Sequence, residues 1–113
     1  MGQRPLAYTL DQRGKHVCLT LTGELDLTVV NQLEAALNEA LALHPHTLTV
    51  DVGGVDLIDS LSTSLLIRSY EAARADGRRF TVVDSRGLVL RVLQIMGLDF
   101  LTQPPAGTAS TDR

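Results

Sequence analysis

Two stretches with an apolar residue at every second position, 17–21 and 48–52, enclose a stretch with one at every third or fourth. That succession constrains the fold more than anything else in the chain. Val17, Leu19 and Leu21 alternate with Cys18, Thr20 and Thr22, while Leu48, Val50 and Val52 alternate with Thr49 and Asp51. Each reads as a half-buried strand. Between them Leu33, Ala36, Leu37, Ala40 and Leu41 follow helical spacing, with Glu34 and Glu39 off the stripe. A helix joining two strands is the connection that parallel strands require. The pattern then recurs: Leu65, Leu66, Tyr70 and Ala73 on a second helix, followed by a strand over 80–83. Ahead of it all, a short strand at 6–10 and a polar turn at 11–14 complete an N-terminal hairpin. With a last helix over 86–96, the order is β-β-α-β-α-β-α. The expectation is an α/β fold, a four-stranded mixed sheet with helices packed against it.

Punctuation residues set the expected boundaries. Gly23-Glu24-Leu25-Asp26 breaks the second strand, Thr28 caps the first helix, Pro45 stops it, and Gly53-Gly54 closes the third strand. Asp59-Ser60 and Asp84-Ser85 are cap signals for the second and third helices. The third helix is apolar on more than one side. Leu88, Val89, Val92, Leu93 and Met96 form a stripe, with Leu90 and Ile95 outside it, so the helix is either deeply buried or offers contact surface. Beyond Leu101 periodicity stops. Residues 1–102 are expected to form one domain and 103–113 a disordered tail.

Composition narrows the function classes. A chain of 113 residues suits one domain, and 10 Lys+Arg against 13 Asp+Glu, net −3, argues against a dedicated nucleic-acid binder. No apolar run approaches the roughly 20 residues that span a bilayer, and Met1-Gly2-Gln3-Arg4-Pro5 carries no apolar leader segment. The single cysteine, Cys18, excludes an internal disulfide. These features together give the expectation of a cytoplasmic monomer or weak dimer, without nucleic acid or membrane insertion.

Enzymatic readings find little support. His16 sits near a strand start, while His44 and His46 flank the turn at Pro45 with no ligand-spaced Cys or carboxylate, so those two read as solvated turn residues and no metal site is expected. There is no G-x-S-x-G elbow, and no P-loop lysine follows Gly53-Gly54. A phosphoacceptor aspartate at Asp51 or Asp59 would need clustered carboxylates and a nearby lysine, but Lys15 is the only lysine and lies far upstream. The expectation is a non-enzyme without cofactor. The dense chemistry lies in 56–66, where Ser60, Ser62, Thr63 and Ser64 fall within the first turn and a half of a helix. Such hydroxyls satisfy unpaired helix amides, and the same positive helix end accommodates a phosphate. Spacing alone leaves both readings open.

Gly23-Glu24-Leu25-Asp26, the strand Leu48-Thr49-Val50-Asp51-Val52, the segment Gly54-Val55-Asp56-Leu57-Ile58-Asp59-Ser60 and the closing helix over 87–100 together resemble a STAS domain. Within that superfamily the chain is most similar to anti-sigma factor antagonists, over about residues 5–101. The resemblance implies the STAS fold and a role in binding an anti-sigma factor that is also a serine kinase. It implies that this kinase phosphorylates Ser60, that the unphosphorylated form frees the sigma factor, and that a serine phosphatase resets the switch. Asp26 and Asp59 match acidic positions bordering the binding surface, which is expected to run through Ser60, Leu61, Ser62 and Thr63. The chain departs from the family pattern after Asp-Ser, where a small hydroxyl residue and a glycine are usual and Leu61 and Ser62 stand here. Two rival readings follow. One is a constitutive STAS scaffold or subunit in a lipid-transport or stress-signalling assembly, without phosphorylation. The other is a small-ligand or nucleotide domain using the Asp59-Ser60 helix end, for which no glycine-rich cradle is present.

Overall fold

Strands β1 (Ala7–Arg13) and β2 (His16–Leu25) form the expected hairpin. Asp11, Gln12 and Arg13 pair with β2 as strand instead of forming the turn, and the chain reverses at Gly14 with its positive φ of 60°. These boundaries come from a computed structural model that describes residues 5–102; the expected tail at 103–113 lies outside the described residues. The sheet continues with β3 (Thr47–Ile58) and β4 (Arg79–Val83) in the order β1-β2-β3-β4. The hairpin pair is antiparallel and the other two pairs are parallel. Helices α1 (Val30–Leu41) and α2 (Ser60–Ala75) make the two crossovers, and α3 (Leu88–Ile95) follows β4. The element order is the one read from the sequence.

One sheet face is buried against the helices. Leu19, Leu21, Leu48, Val50 and Val82 meet Leu33, Leu37, Leu65 and Leu66 in a single apolar cluster, as the alternation implied. Full burial of each such side chain contributes about 1.5–3 kcal/mol. The opposite face carries Cys18, Thr20, Thr22, Thr49 and Thr81, all partly exposed.

Both internal strands outrun their expected ends. Gly23-Glu24-Leu25 does not break β2, because Gly23 and Leu25 keep the buried phase of the alternation. Gly53-Gly54 does not close β3. It accommodates an irregularity instead: Thr20 pairs with Asp51 but Thr22 with Gly54, and Gly23 pairs with Val55 but Glu24 with Leu57. Each step inserts one extra residue into β3, as a bulge does. Glycine is needed at 54 because a Cβ there would lie 2.6 Å from the Thr22 methyl.

Helix starts also differ in detail. Asp26, not Thr28, is the first cap: its carboxylate accepts the Thr28 N–H at 3.0 Å and the Thr28 hydroxyl at 2.6 Å, opening a 3-10 turn (Leu27–Val29) ahead of α1. α1 ends at Leu41, before Pro45. Asp84 does satisfy the start of α3, accepting the N–H groups of Val89 and Leu90 at 2.7 and 3.0 Å. The cap position itself is Gly87 at φ 79°, so the helix begins two residues later than expected. Only Val89 and Leu93 of α3 are buried; Leu88, Ile95 and Met96 are exposed, Ile95 by 79%. Buried Leu101, on the closing 3-10 turn (Asp99–Thr102), fills the core instead, while Phe100 lies against Tyr70 with ring centroids 5.2 Å apart.

Candidate functional site

The C-terminal ends of β2 and β3 lie side by side, Leu25 pairing with Ile58, so the next residues, Asp26 and Asp59, leave the sheet as neighbours. Asp59 caps α2: its Oδ1 accepts the Ser62 N–H at 2.8 Å. Its own N–H donates to the Leu25 carbonyl at 3.0 Å, and the Ser62 hydroxyl donates to that same carbonyl at 3.1 Å. Three bonds among Leu25, Asp59 and Ser62 thus tie the end of β2 to the start of α2. Thr63 adds a bond from its hydroxyl to the Asp59 carbonyl at 2.8 Å.

The four hydroxyls therefore divide into two pairs. Ser62 and Thr63 are buried and turned inward, serving as internal ties. Ser60 and Ser64 are exposed on one side of the first turns, with the Ser64 hydroxyl donating to the Ser60 carbonyl at 3.0 Å. Because Asp59 holds the cap, the Ser60 side chain is left out of the helix's own bonding. Leu61, next to it, is 43% exposed, and Leu27, just past Asp26, is 67% exposed. The six residues singled out from the sequence are thus brought to one corner, with Asp26, Asp59, Ser60 and Leu61 at its surface and Ser62 and Thr63 beneath.

One residue that sequence reasoning missed supports this corner from the next loop. Beyond the end of β4 the bulged half of β3 loses a neighbour, and Arg86 replaces it. Its Nε donates to the Gly53 carbonyl and its Nη2 to the Val55 carbonyl, both at 2.6 Å, and Nη2 also meets Asp56 Oδ1 at 3.1 Å. Asp84 accepts the Arg86 N–H at 3.1 Å and steadies the loop. An arginine recognising backbone carbonyls more than 30 positions away leaves no local signal. Among the described residues no group of three or more His, Cys, Asp or Glu is placed to hold a metal ion, and no helix is long and apolar enough to cross a membrane.

The family model described as "Mlab, STAS domain" matches residues 8–103. The chain belongs to the STAS-domain family. A curated relative, the anti-sigma-F factor antagonist RsfB of Mycobacterium tuberculosis, is 31% identical over 81 residues, 72% of this chain. This chain spans 66% of the length of that relative. Solved structures share the fold. An anti-sigma factor antagonist from Mycobacterium paratuberculosis superposes with a TM-score of 0.79 at 23% identity, covering 95% of this chain and 92% of its own. The Bacillus protein SpoIIAA does so in its unphosphorylated form (TM-score 0.71, 23% identity, 95% of both chains) and in its phosphorylated form (0.66, 22%, 95% of this chain and 98% of that one).

Proposed function

We propose that this STAS domain is an anti-sigma factor antagonist that binds an anti-sigma factor with serine kinase activity and is switched off when that kinase phosphorylates Ser60. The observation that carries the reading is the position of Ser60: exposed, at the first residue of α2, with the cap already supplied by Asp59. The names of the relatives support the antagonist role, and SpoIIAA exists in a phosphorylated form.

The chemistry of such a switch is local. Transfer of a phosphoryl group to Ser60 adds about −1.5 to −2 charge beside Asp59 and Asp26. The positive end of α2 tolerates that charge, so the fold persists. A docked partner does not tolerate it, because the corner gains bulk and a group that must be desolvated in the complex. Leu61 and Leu27 supply the apolar part of the contact, Asp26 and Asp59 its polar border, and Ser62 and Thr63 act from below by holding the backbone. A serine phosphatase restores the binding form, and the exchange takes place in the cytoplasm.

Incubation with the purified partner kinase and MgATP, followed by intact-mass measurement and phosphosite mapping, tests this. One phosphate on Ser60, absent from Ser60→Ala, is the expected result. Phosphate on Ser64 alone would overturn the residue assignment, and stable partner binding with no phosphate on any residue would replace the switch with a constitutive scaffold.

A further inference from the structure

At the opposite end of the sheet the strands begin in a regular row. Arg13 pairs with His16, His16 with Thr47, and Thr47 with Arg79, so four neighbouring strands carry these side chains abreast. All four share the phase of Cys18, Thr49 and Thr81, on the face that no helix covers. The next two rows on that face, Asp11–Cys18–Thr49–Thr81 and Thr9–Thr20–Asp51–Val83, carry no cation at all.

At the β2–β4 part of this row lies an open depression of about 350 Å³ lined by His16, His46, Thr47, Gly77 and Arg79, all exposed except the half-buried Thr47. Every side chain lining it with hydrogen-bonding capacity has at least one N–H or O–H available, and none is a carboxylate. The charged and titratable residues next to these positions along the chain or across the hairpin are Asp11 and Arg13 from β1, Lys15 from the hairpin turn, His44 from the α1–β3 loop, and Asp76 and Arg78 from the α2–β4 loop. The two carboxylates are engaged elsewhere: Asp11 accepts from Arg13 at 3.1 Å, and Asp76 lies 3.8 Å from Arg78. Among the described residues neither Arg79 nor His16 nor His46 has a side-chain partner. The frame is held by backbone bonds, with His46 N–H donating to the Lys15 carbonyl at 2.8 Å and Arg79 N–H to the His46 carbonyl at 2.9 Å.

We propose that this depression is an anion site that takes a phosphate group, held by the Arg79 guanidinium on the β4 side and His16 on the β2 side, with His46 and the Thr47 hydroxyl at the start of β3 between them. Across three strands the span from His16 to Arg79 is about 10 Å at the backbone, which leaves room for one phosphate group between the two side chains that line the depression. Guanidinium supplies the paired donors that phosphate geometry favours. The site is remote from Ser60, at the other end of the strands, and does not depend on the switch proposed there.

Titration of the ¹⁵N-labelled full chain with inorganic pyrophosphate at low salt tests the proposal. Amide shifts should concentrate at His16, His46, Thr47, Gly77 and Arg79. Arg79→Ala should weaken binding about tenfold or more with unchanged melting, and His16→Gln should weaken it further in the double variant. Arg91→Ala, an exposed cation on α3, should leave it intact. Sedimentation with phosphatidylglycerol vesicles separates the sources of the phosphate. Vesicle binding that is lost in Arg79→Ala supports the site and assigns a lipid headgroup, whereas pyrophosphate binding alone supports it and assigns a soluble anion. Shifts centred on the start of α2, shifts spread over all exposed cations, or an Arg79→Ala protein that binds like wild type would each overturn it.

Discussion

The two halves of β3 behave as different materials. From Thr47 to Asp51 the strand is paired on both sides in unbroken register, with Leu48 and Val50 fully buried. From Gly53 to Ile58 it has only β2 beside it, takes two extra residues, and has carbonyls met by a side chain from another loop. The regular half supplies burial and the irregular half supplies placement, because it delivers Asp59 and Ser60 to the corner beside Asp26. Regular pairing is stabilised by many equivalent contacts, whereas the irregular half depends on a few specific ones.

The largest effect should come from the regular half. Val50→Asp puts an unpaired charge into the core and should destabilise by about 3 kcal/mol or more, read as a collapsed melting temperature. A Val50→Asp protein melting like wild type would mean that the strand phase is wrong. In the irregular half, Gly54→Ala forces a Cβ against the Thr22 methyl and should cost roughly 2 kcal/mol. Combining it with Thr22→Ser removes that methyl and should recover most of the loss in denaturant melts. If the double variant is no better than the single one, the close approach at the bulge is not what requires glycine.

Arg86→Ala comes next, at about 1–2 kcal/mol. Hydrogen exchange should accelerate over the second half of β3 while the amides of its first half stay protected. Uniform acceleration would erase the distinction between the halves. The smallest effects separate the two residues at the helix start. Asp59→Ala should lose about 1 kcal/mol of capping, whereas Ser60→Ala should stay within about 0.5 kcal/mol of wild type, since its hydroxyl caps nothing. Equal losses would contradict the assignment of Asp59 as the cap.

What could be read from the sequence follows the same division. The alternation of Val17–Leu19–Leu21 and Leu48–Val50–Val52 is legible because both strands bury one face and expose the other, and period then reports burial directly. The pair Gly53-Gly54 is not, since glycine marks strand ends and bulges alike, and only the approach of Thr22 distinguishes them. At the site, the Asp59-Ser60 step was legible as a helix start, but the inward turn of Ser62 and Thr63 depends on where α2 meets the Leu25 carbonyl. Arg86 was invisible because its partners are backbone atoms, which no residue pattern encodes. The row of Arg13, His16, Thr47 and Arg79 depends on the register of four strands. From sequence its one histidine, His16, read only as a residue near a strand start, and the neighbouring His46 as a solvated turn residue.

The proposed switch requires that charge at Ser60 change partner affinity without changing the fold. Wild type, Ser60→Ala and Ser60→Asp, each titrated against the proposed anti-sigma partner with circular dichroism as a check on folding, address it most directly. Ser60→Ala should bind within about threefold of wild type, and Ser60→Asp, still folded, should bind at least about tenfold more weakly, roughly 1.4 kcal/mol. Equal affinities for all three folded proteins would contradict it.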